Sequence, residues 1–439
     1  MPHPSPDLSV AFVTLGCPKN EVDSDRMAAA VAASGYRLVE DVGDAGVVVV
    51  NTCAFIQDAT EESIETVMEL SREWVPACEG RHIVVAGCMV SRYGSDLEGE
   101  LDEASAFVPV ADEGSLLAVL ERLTGIPAKT SAREDSQFPS RTARGASGYL
   151  KVSDGCDRNC AYCAIPSIRG PHVSRPLDEI VTEAAELVSL GAIEIVLIGQ
   201  DVTAWGRDLP GPSSIAEVVE AVAHVPGVAW VRLMYAQPDG ISDRLLEVMA
   251  ENENVCRYLD LPLQHASSDV LRRMRRSGDA PSFLALLQHI RDALPGVTLR
   301  TTLIAGFPGE TRDDAATLER FVAEAGFDYV GVFPYSPEEG TEAFSLANRV
   351  SPRTRRARAQ RLRDLADRQG TARVEGLIGS DIEVLVEGYD DDEEAIVGRW
   401  RGQAPEIDGI VILDRGEAGD IVVARVTDTL GYDLIAEVL

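Results

Sequence analysis

Gly155-Cys156-Asp157-Arg158-Asn159-Cys160-Ala161-Tyr162-Cys163 sets three cysteines at C-x3-C-x2-C spacing. The run Tyr149-Leu150-Lys151-Val152 before it reads as a short strand, so the cysteines fall on the loop that leaves a strand. Pro166 and Gly170-Pro171 soon after forbid a long regular helix. Three thiolates so close can hold three irons of a cubane cluster, because Fe–S clusters are normally bound by Cys. No fourth Cys follows nearby, which leaves one iron with an open position, where metal chemistry happens. A structural zinc site would close with a fourth Cys or His in C-x2-C pairs. A bacterial ferredoxin would read C-x2-C-x2-C-x3-C-P. This sequence does neither.

Outward from that loop, residues 149 to about 344 alternate strand and helix signals. Candidate strands are 149–153, 193–198, 229–235, 257–261, 297–304 and 328–333, with helical segments such as 176–190, 213–223, 241–250 and 283–294 between them. Six βα units predict an incomplete parallel barrel, whose active site lies at the carboxyl ends of its strands. The cysteine loop follows the first strand, Gly199-Gln200-Asp201 the second, Gln264-His265 the fourth and Gly306-Phe307-Pro308-Gly309-Glu310 the fifth. All four therefore face one end. Taken singly, Gly-Phe-Pro-Gly-Glu is a turn signal and His265 a core histidine.

Residues 1–128 repeat the βα pattern. Strands Leu8–Leu15, Val47–Val50 and His82–Ala86 alternate with helices over about Ser24–Ser34 and Thr60–Trp74, which predicts a doubly wound parallel sheet. Cys17, Cys53 and Cys88 each lie just beyond the carboxyl end of a strand, 36 and 35 positions apart. Ligands of open α/β sheets bind in the crevice there. Three such thiolates can converge on one point; three small buried structural cysteines are the bland alternative, and the repeated Gly-Cys or Thr-Cys after each strand favours convergence. Cys78 and Cys256 share no such position and read as structural.

Residues 129–146 are polar and aperiodic, a linker. Residues 346–370 form a connecting helix rich in arginine, a solvated face first and an RNA-contacting strip second. From 371 to 439 five short alternating strands (382–386, 395–399, 409–413, 421–426, 434–438) predict a small barrel of the OB kind. Such barrels often bind nucleic acid, but this one carries 17 acidic and 5 basic residues. The whole chain has a formal net charge of -32, which repels polyphosphate and attracts a basic partner. Eight scattered cysteines do not make a secreted disulfide scaffold, the start lacks the pattern of a signal peptide, and no apolar run approaches a membrane span. The expectation is a reduced, cytoplasmic protein without a membrane partner.

The C-x3-C-x2-C spacing with Tyr162 before the last Cys resembles the radical S-adenosylmethionine (SAM) signature. The modules in this order resemble the methylthiotransferases over nearly the whole chain. That resemblance implies an amino-terminal cluster domain (1–128), a radical-SAM barrel (147–345) and a carboxy-terminal TRAM barrel (371–439). It implies two 4Fe-4S clusters, one on Cys17, Cys53 and Cys88 and one on Cys156, Cys160 and Cys163, the latter set being catalytic. It implies SAM as both radical source and methyl donor, with Tyr162, Gly199, Gln200 and Gly306 at rim positions the superfamily uses to bind it. Lys19, Asn20 and Asp23 are candidates for shaping the first cluster's surroundings, or simply cap and loop residues.

Two branches of the family differ in substrate: one modifies isopentenylated adenosine in tRNA, the other an aspartate of ribosomal protein uS12. Gly16-Cys17-Pro18-Lys19-Asn20, Ile165-Pro166-Ser167-Ile168-Arg169-Gly170 and Leu261-Pro262-Leu263-Gln264-His265-Ala266-Ser267 look like the ribosomal branch. The acidic small barrel agrees, since it suits a basic ribosomal protein better than a tRNA backbone. An electron donor such as a flavodoxin or ferredoxin is implied. The alternatives are a tRNA methylthiotransferase, a non-catalytic iron–sulfur electron carrier and a zinc-bound ribosome-associated module.

Overall fold

Val47, Val48, Val49 and Val50 are all buried, and they alternate between two apolar cores on opposite faces of one sheet. A strand covered on both sides tolerates an unbroken apolar run, which is why this one does not alternate with polar residues. The structure, a computed structural model, describes residues 9–78, 80–127 and 145–439. Most of the expected linker, 129–144, lies outside the described residues.

The amino-terminal sheet contains β1 (Ser9–Thr14), β2 (Arg37–Leu38), β3 (Val47–Thr52), β4 (His82–Gly87) and β5 (Ala106–Pro109) in the order β2-β1-β3-β4-β5. Every pairing is parallel. The strand order reverses between β1 and β3, so a ligand crevice opens outside their carboxyl ends. The first helix runs Pro18–Ala33 and not from about Ser24. Pro18 has no N–H to lose in the first turn and its fixed φ suits it, so the helix starts directly after Cys17. Lys19, Asn20 and Asp23 are consequently helical and buried, which sets aside the cap-and-loop alternative for them. The helix expected over Thr60–Trp74 starts earlier, at Gln57, and ends in a π turn, Leu70–Trp74.

A second parallel sheet contains β6 (Ser147–Lys151), β9 (Glu194–Ile198), β10 (Trp230–Leu233), β11 (Val255–Asp260), β12 (Thr298–Ala305) and β13 (Tyr329–Pro334), in chain order across the sheet. Between its first two strands lies a two-stranded ribbon, β7 (Ser153–Asp154) and β8 (Val173–Ser174). Six parallel strands in sequential order, with β6 and β13 left as edges, make the incomplete barrel. The carboxyl ends of all six point the same way, which gathers the loops after them.

The helix Pro352–Glu375 buries Ala359, Leu362, Ala366 and Val374. Its arginines are mostly occupied: Arg355 donates to the Tyr335 carbonyl, Arg358 to the Glu310 carboxylate and Arg363 to the Val332 carbonyl. Beyond it β14 (Asp381–Asp390), β15 (Ala395–Trp400), β16 (Val411–Leu413), β17 (Ile421–Leu430) and β18 (Asp433–Val438) close into a barrel ordered β14-β15-β16-β18-β17.

The small barrel is bolted to the large one by buried charge. Arg399 of β15 reaches Glu194 at 2.6 Å and Arg232 reaches the same carboxylate at 2.7 Å. Tyr258 donates to Asp408 at 2.5 Å, and Arg300 bridges Asp408 and Asp260 at 3.1 Å each. Ser147 and Glu194 open β6 and β9, and Arg232 and Arg300 are the third residues of β10 and β12. The attachment thus draws on strand starts (Ser147, Glu194) as well as on strand interiors and ends (Arg232, Tyr258, Arg300, Asp260).

The chain divides into two compact units. One holds the five-stranded sheet together with Gly155–Asp157 and Cys163–Pro171; the other holds Arg158–Tyr162, the six-stranded sheet and the small barrel. No helix among the described residues is long and apolar enough to cross a membrane.

Candidate cluster and cofactor sites

Cys17 precedes the first helix directly, Cys53 follows β3 and Cys88 follows β4. Two of them, Cys17 and Cys53, therefore flank the point where strand order reverses. Burial pushes the Cys53 thiol up, and pushes Cys88 up to about 12. In both cases Arg169 acts the other way, and the charge of Cys17 adds to the rise. Cys53 and Cys88 thus share one nearby cation, Arg169.

The scaffold around them is dense. Asn20 donates to the Leu15 and Thr52 carbonyls at 2.9 Å each, tying the first helix to the ends of β1 and β3. Asn51 donates to the Asn20 carbonyl at 2.8 Å. The Cys53 N–H donates to Ser63 at 3.1 Å. The Cys88 thiol lies 3.6 Å from Asn20 Oδ1, and Arg169 Nη2 lies 3.6 Å from the Cys88 sulfur. These donors fit an iron–sulfur cluster in kind: soft thiols, two of them buried, beside a guanidinium that offsets thiolate charge. Among the described residues no three His, Cys, Asp or Glu side chains are gathered tightly enough to hold a single metal ion. A cubane asks for a different spacing, one thiolate on each iron.

Gly16 shows how tight the packing is. Its φ is +99°, and a Cβ there would sit 2.8 Å from the Cys53 sulfur. Gly16→Ala is therefore expected to displace Cys53 and to cut iron and acid-labile sulfide at this site by about tenfold or more after anaerobic reconstitution. Unchanged metal content would show that Cys53 is not a ligand at this position.

The second cysteine set lies on a loop closed at its neck. Gly155, at φ +71°, approaches Pro171 so closely that a Cβ would overlap the Pro171 carbonyl, and the Cys156 N–H donates to the Gly170 carbonyl at 3.1 Å. Cys156 and Cys163 go with the amino-terminal unit and Cys160 with the barrel unit. All three are partly exposed and none is in a disulfide. On the barrel side, Arg276 lies 3.8 Å from the Cys160 sulfur and donates to Gln237 and the Pro262 carbonyl at 2.8 Å each. Burial opposes the charge of Arg276, but Tyr162 and Cys160 outweigh it and hold the guanidinium above its ordinary range. Arg158 pairs with Asp201 at 2.5 Å and Asp239 at 2.8 Å. A cavity of about 500 Å³ opens here, lined among others by Arg158, Cys160, Asp239 and Arg276.

The other rim residues lie at strand ends. Gly199 follows β9, and a Cβ there would come within 2.9 Å of Ser153 Oγ. Gln200 donates to Asp154 at 3.0 Å, and Asp154 also accepts from Lys151 at 2.6 Å. Gln200 Oε1 and Ser153 Oγ are buried without a hydrogen-bond partner among the described residues. Such groups are rare and call for a ligand or water. Gly306 follows β12, where its N–H and that of Phe307 both donate to the Glu310 carboxylate. Arg358 holds the other oxygen at 2.7 Å. The Ser267 N–H donates to His265 Nδ1 at 2.9 Å, which puts the ring proton on Nε2, 3.6 Å from Glu310. Burial pushes the Glu310 carboxyl up, but His265, the Gly306 N–H and Arg358 outweigh it and leave it below the usual range.

Sequence reading missed Arg169, Arg276, Arg158 and the role of Glu310. Arg158, Arg169 and Glu310 stood inside segments quoted for other reasons; nothing local marks Arg276, whose partners Gln237 and Pro262 are remote in sequence.

A doubly wound layer bearing strand-end thiols, a six-stranded parallel barrel entered by a C-x3-C-x2-C loop, and a closed five-stranded barrel together define a radical SAM methylthiotransferase. Comparison with known proteins agrees. Residues 9–109 match the Uncharacterized protein family UPF0004, 150–322 the Radical SAM superfamily and 378–439 the TRAM domain. "Ribosomal protein uS12 methylthiotransferase RimO" of Geobacter sulfurreducens is 42% identical, covering 98% of each chain. The protein so named in Anaeromyxobacter sp. (strain K) is also 42% identical, covering 97% of this chain and 92% of its own. The chain belongs to the ribosomal protein uS12 methylthiotransferase family. Among solved structures, the radical S-adenosylmethionine methyltransferase TsrM of Kitasatospora setae matches with TM-score 0.55 at 16% identity, covering 75% of this chain and 77% of its own. The cobalamin-dependent S-adenosylmethionine radical enzyme OxsB matches with TM-score 0.51 at 10% identity, covering 82% and 56%. At these identities the likeness is one of fold.

Proposed function

We propose that this chain adds a methylthio group to the β-carbon of an aspartate in ribosomal protein uS12, with Cys156, Cys160 and Cys163 holding one 4Fe-4S cluster and Cys17, Cys53 and Cys88 a second. The observation that carries the reading is identity across all three modules with relatives of that name. The division at about 128, 146, 345 and 370 belongs to the same reading. So do a cytoplasmic setting and a one-electron donor of the flavodoxin or ferredoxin kind.

The target bond explains the equipment. An aspartate β-hydrogen is beyond an ordinary side-chain base, because the neighbouring carboxylate is already ionised. The clusters and SAM, when bound, supply the one-electron hydrogen abstraction, the sulfur and the methyl group that the side chains cannot. The chain's own residues bind and orient. Arg276 gives the Cys160 sulfur a charged donor within a buried network. Glu310 fixes the backbone of the Gly306 loop. Gln200 and Ser153 bring buried polar atoms that are free to meet a polar ligand, which supports Gly199 and Gln200 as SAM contacts alongside Tyr162 and Gly306. The acidic small barrel supports a basic protein substrate over tRNA.

The test is an anaerobic assay of the reconstituted protein with SAM, reductant and sulfide, offered either purified uS12 or isopentenylated tRNA. The expected product is a mass increment of roughly 46 Da on a uS12 aspartate, with 5′-deoxyadenosine released. An increment on tRNA alone would overturn the reading.

A further inference from the structure

The cysteine loop that enters the barrel also delivers a cation to the amino-terminal thiols. Six residues beyond Cys163, at the end of the short helix Ile165–Arg169, Arg169 lies with its side chain only 2% exposed. Its Nη2 donates to Asn20 Oδ1 at 2.8 Å and Asp23 Oδ2 at 2.9 Å, and stands 3.6 Å from the Cys88 sulfur. Asp23 is equally buried. Ala164 and Ile168 of the same segment pack into the core that contains Cys88 and Met89. The guanidinium is therefore anchored on one side by apolar packing and on the other by a carboxylate and an amide.

We propose that Arg169 is a positioning residue for the cluster held by Cys17, Cys53 and Cys88: it supplies the buried positive charge and the sulfur hydrogen bond that retain that cluster and set its potential. The proposal rests on the two-cluster reading above. The physical need is plain. Thiolates in a buried site are costly unless a charge or hydrogen bond compensates them. Hydrogen bonds and local charge at the sulfurs are what tune such clusters. A fixed cation favours the more negative, reduced form, so its loss moves the potential downward. Asp23 and Asn20 hold the guanidinium in place beside the Cys88 sulfur. Because Arg169 shares a segment with Cys163, the loop that holds one cluster also completes the other.

The experiment uses the full chain with Cys156, Cys160 and Cys163 replaced by Ala, which leaves only the amino-terminal set. With Arg169 intact, this parent binds iron and sulfide after reconstitution; a parent that binds none overturns the two-cluster reading, and this proposal with it. Arg169→Gln in that background is expected to release iron to a chelator at least tenfold faster and to shift the potential, read by EPR-monitored titration, to more negative values. Arg169→Lys keeps the charge but not the fork, so its potential stays near the parent's while iron release still quickens. It serves as the readout should the Gln variant fail to fold by circular dichroism. In the complementary background, with Cys17, Cys53 and Cys88 replaced, Arg169→Gln leaves the remaining cluster's potential unchanged. A parent-like potential and release rate in both Arg169 variants, or equal shifts in both backgrounds, overturns the proposal and leaves Arg169 a structural tie.

Discussion

Cys156→Ala, Cys160→Ala or Cys163→Ala abolishes both 5′-deoxyadenosine release and methylthio transfer, whereas Cys17→Ala, Cys53→Ala or Cys88→Ala abolishes the transfer alone. The asymmetry follows from the two structural addresses. The loop cysteines follow β6 and β7 in the chain, as Gly199 and Gln200 follow β9 and Gly306 follows β12, the residues expected to hold SAM. The other three end the strands of a separate sheet. On the proposed two-cluster reading each set would supply three thiolates, so removing one would leave a cluster with two protein ligands. The expected loss is about four irons per chain in either case. Neither substitution threatens the fold: a thiol contributes little packing volume beyond Ala, and the strands around Cys53 and Cys88 are held by Asn20, Asn51 and Ser63. The measurement is chromatography of 5′-deoxyadenosine alongside mass spectrometry of uS12, on variants with matched circular dichroism. Deoxyadenosine formation that survives loss of Cys156, or that vanishes with Cys53, would sink the assignment of the two sites.

The sequence disclosed what depends on short-range pattern. Val47–Val50 announces a doubly buried strand, the six barrel strands are periodic in composition, and the alternating segments after 380 announce a small barrel. The six cysteines stood out because strand ends and loop spacing are local features. Helix starts were less legible. Pro18 sits in the first turn of the helix, which begins before the Ser24 expected from sequence, and so Asn20 and Asp23 are buried. Least legible were arginines with distant partners. Arg169 meets Asn20 and Asp23 across nearly 150 positions, and Arg399 meets Glu194 across 205. No window of sequence contains both members of such a pair; only the packed fold brings them together. In the basic run from Arg353 to Arg368, Arg353, Arg356, Arg361 and Arg368 are exposed as a solvated helix has them, while Arg355, Arg358 and Arg363 meet carbonyl and carboxylate partners that no local pattern announces.

Glu194→Ala is expected to cost about 3–5 kcal/mol and to loosen the small barrel from the large one, because it strands two buried guanidinium groups. Glu194 and Arg232 are fully buried and Arg399 nearly so. Ser147 also donates to Glu194, at 2.7 Å, so each carboxylate oxygen is engaged. Burial alone would push this carboxyl up; Arg399 and then Arg232 outweigh it and bring it down from 4.5 to about 2. A carboxyl depressed in the folded state adds stability that is fully present above its unfolded value and is lost as pH falls. The window here is from about pH 4.5 down to about 2. Across it the group should forfeit about 3 kcal/mol. Trp230 and Trp400 flank the interface, with Arg401 5.6 Å from the Trp230 ring centre, so their fluorescence reports the separation. Urea unfolding at pH 7 and pH 3 should therefore show a steep acid loss in the parent and a flatter one in Glu194→Gln, which has no charge to lose. Arg399→Met paired with Glu194→Gln should cost less than the sum of the two singles, since the second substitution removes a group the first had already orphaned. Additive costs, or an acid response that Glu194→Gln leaves as steep as before, would mean that apolar packing alone holds the small barrel in place.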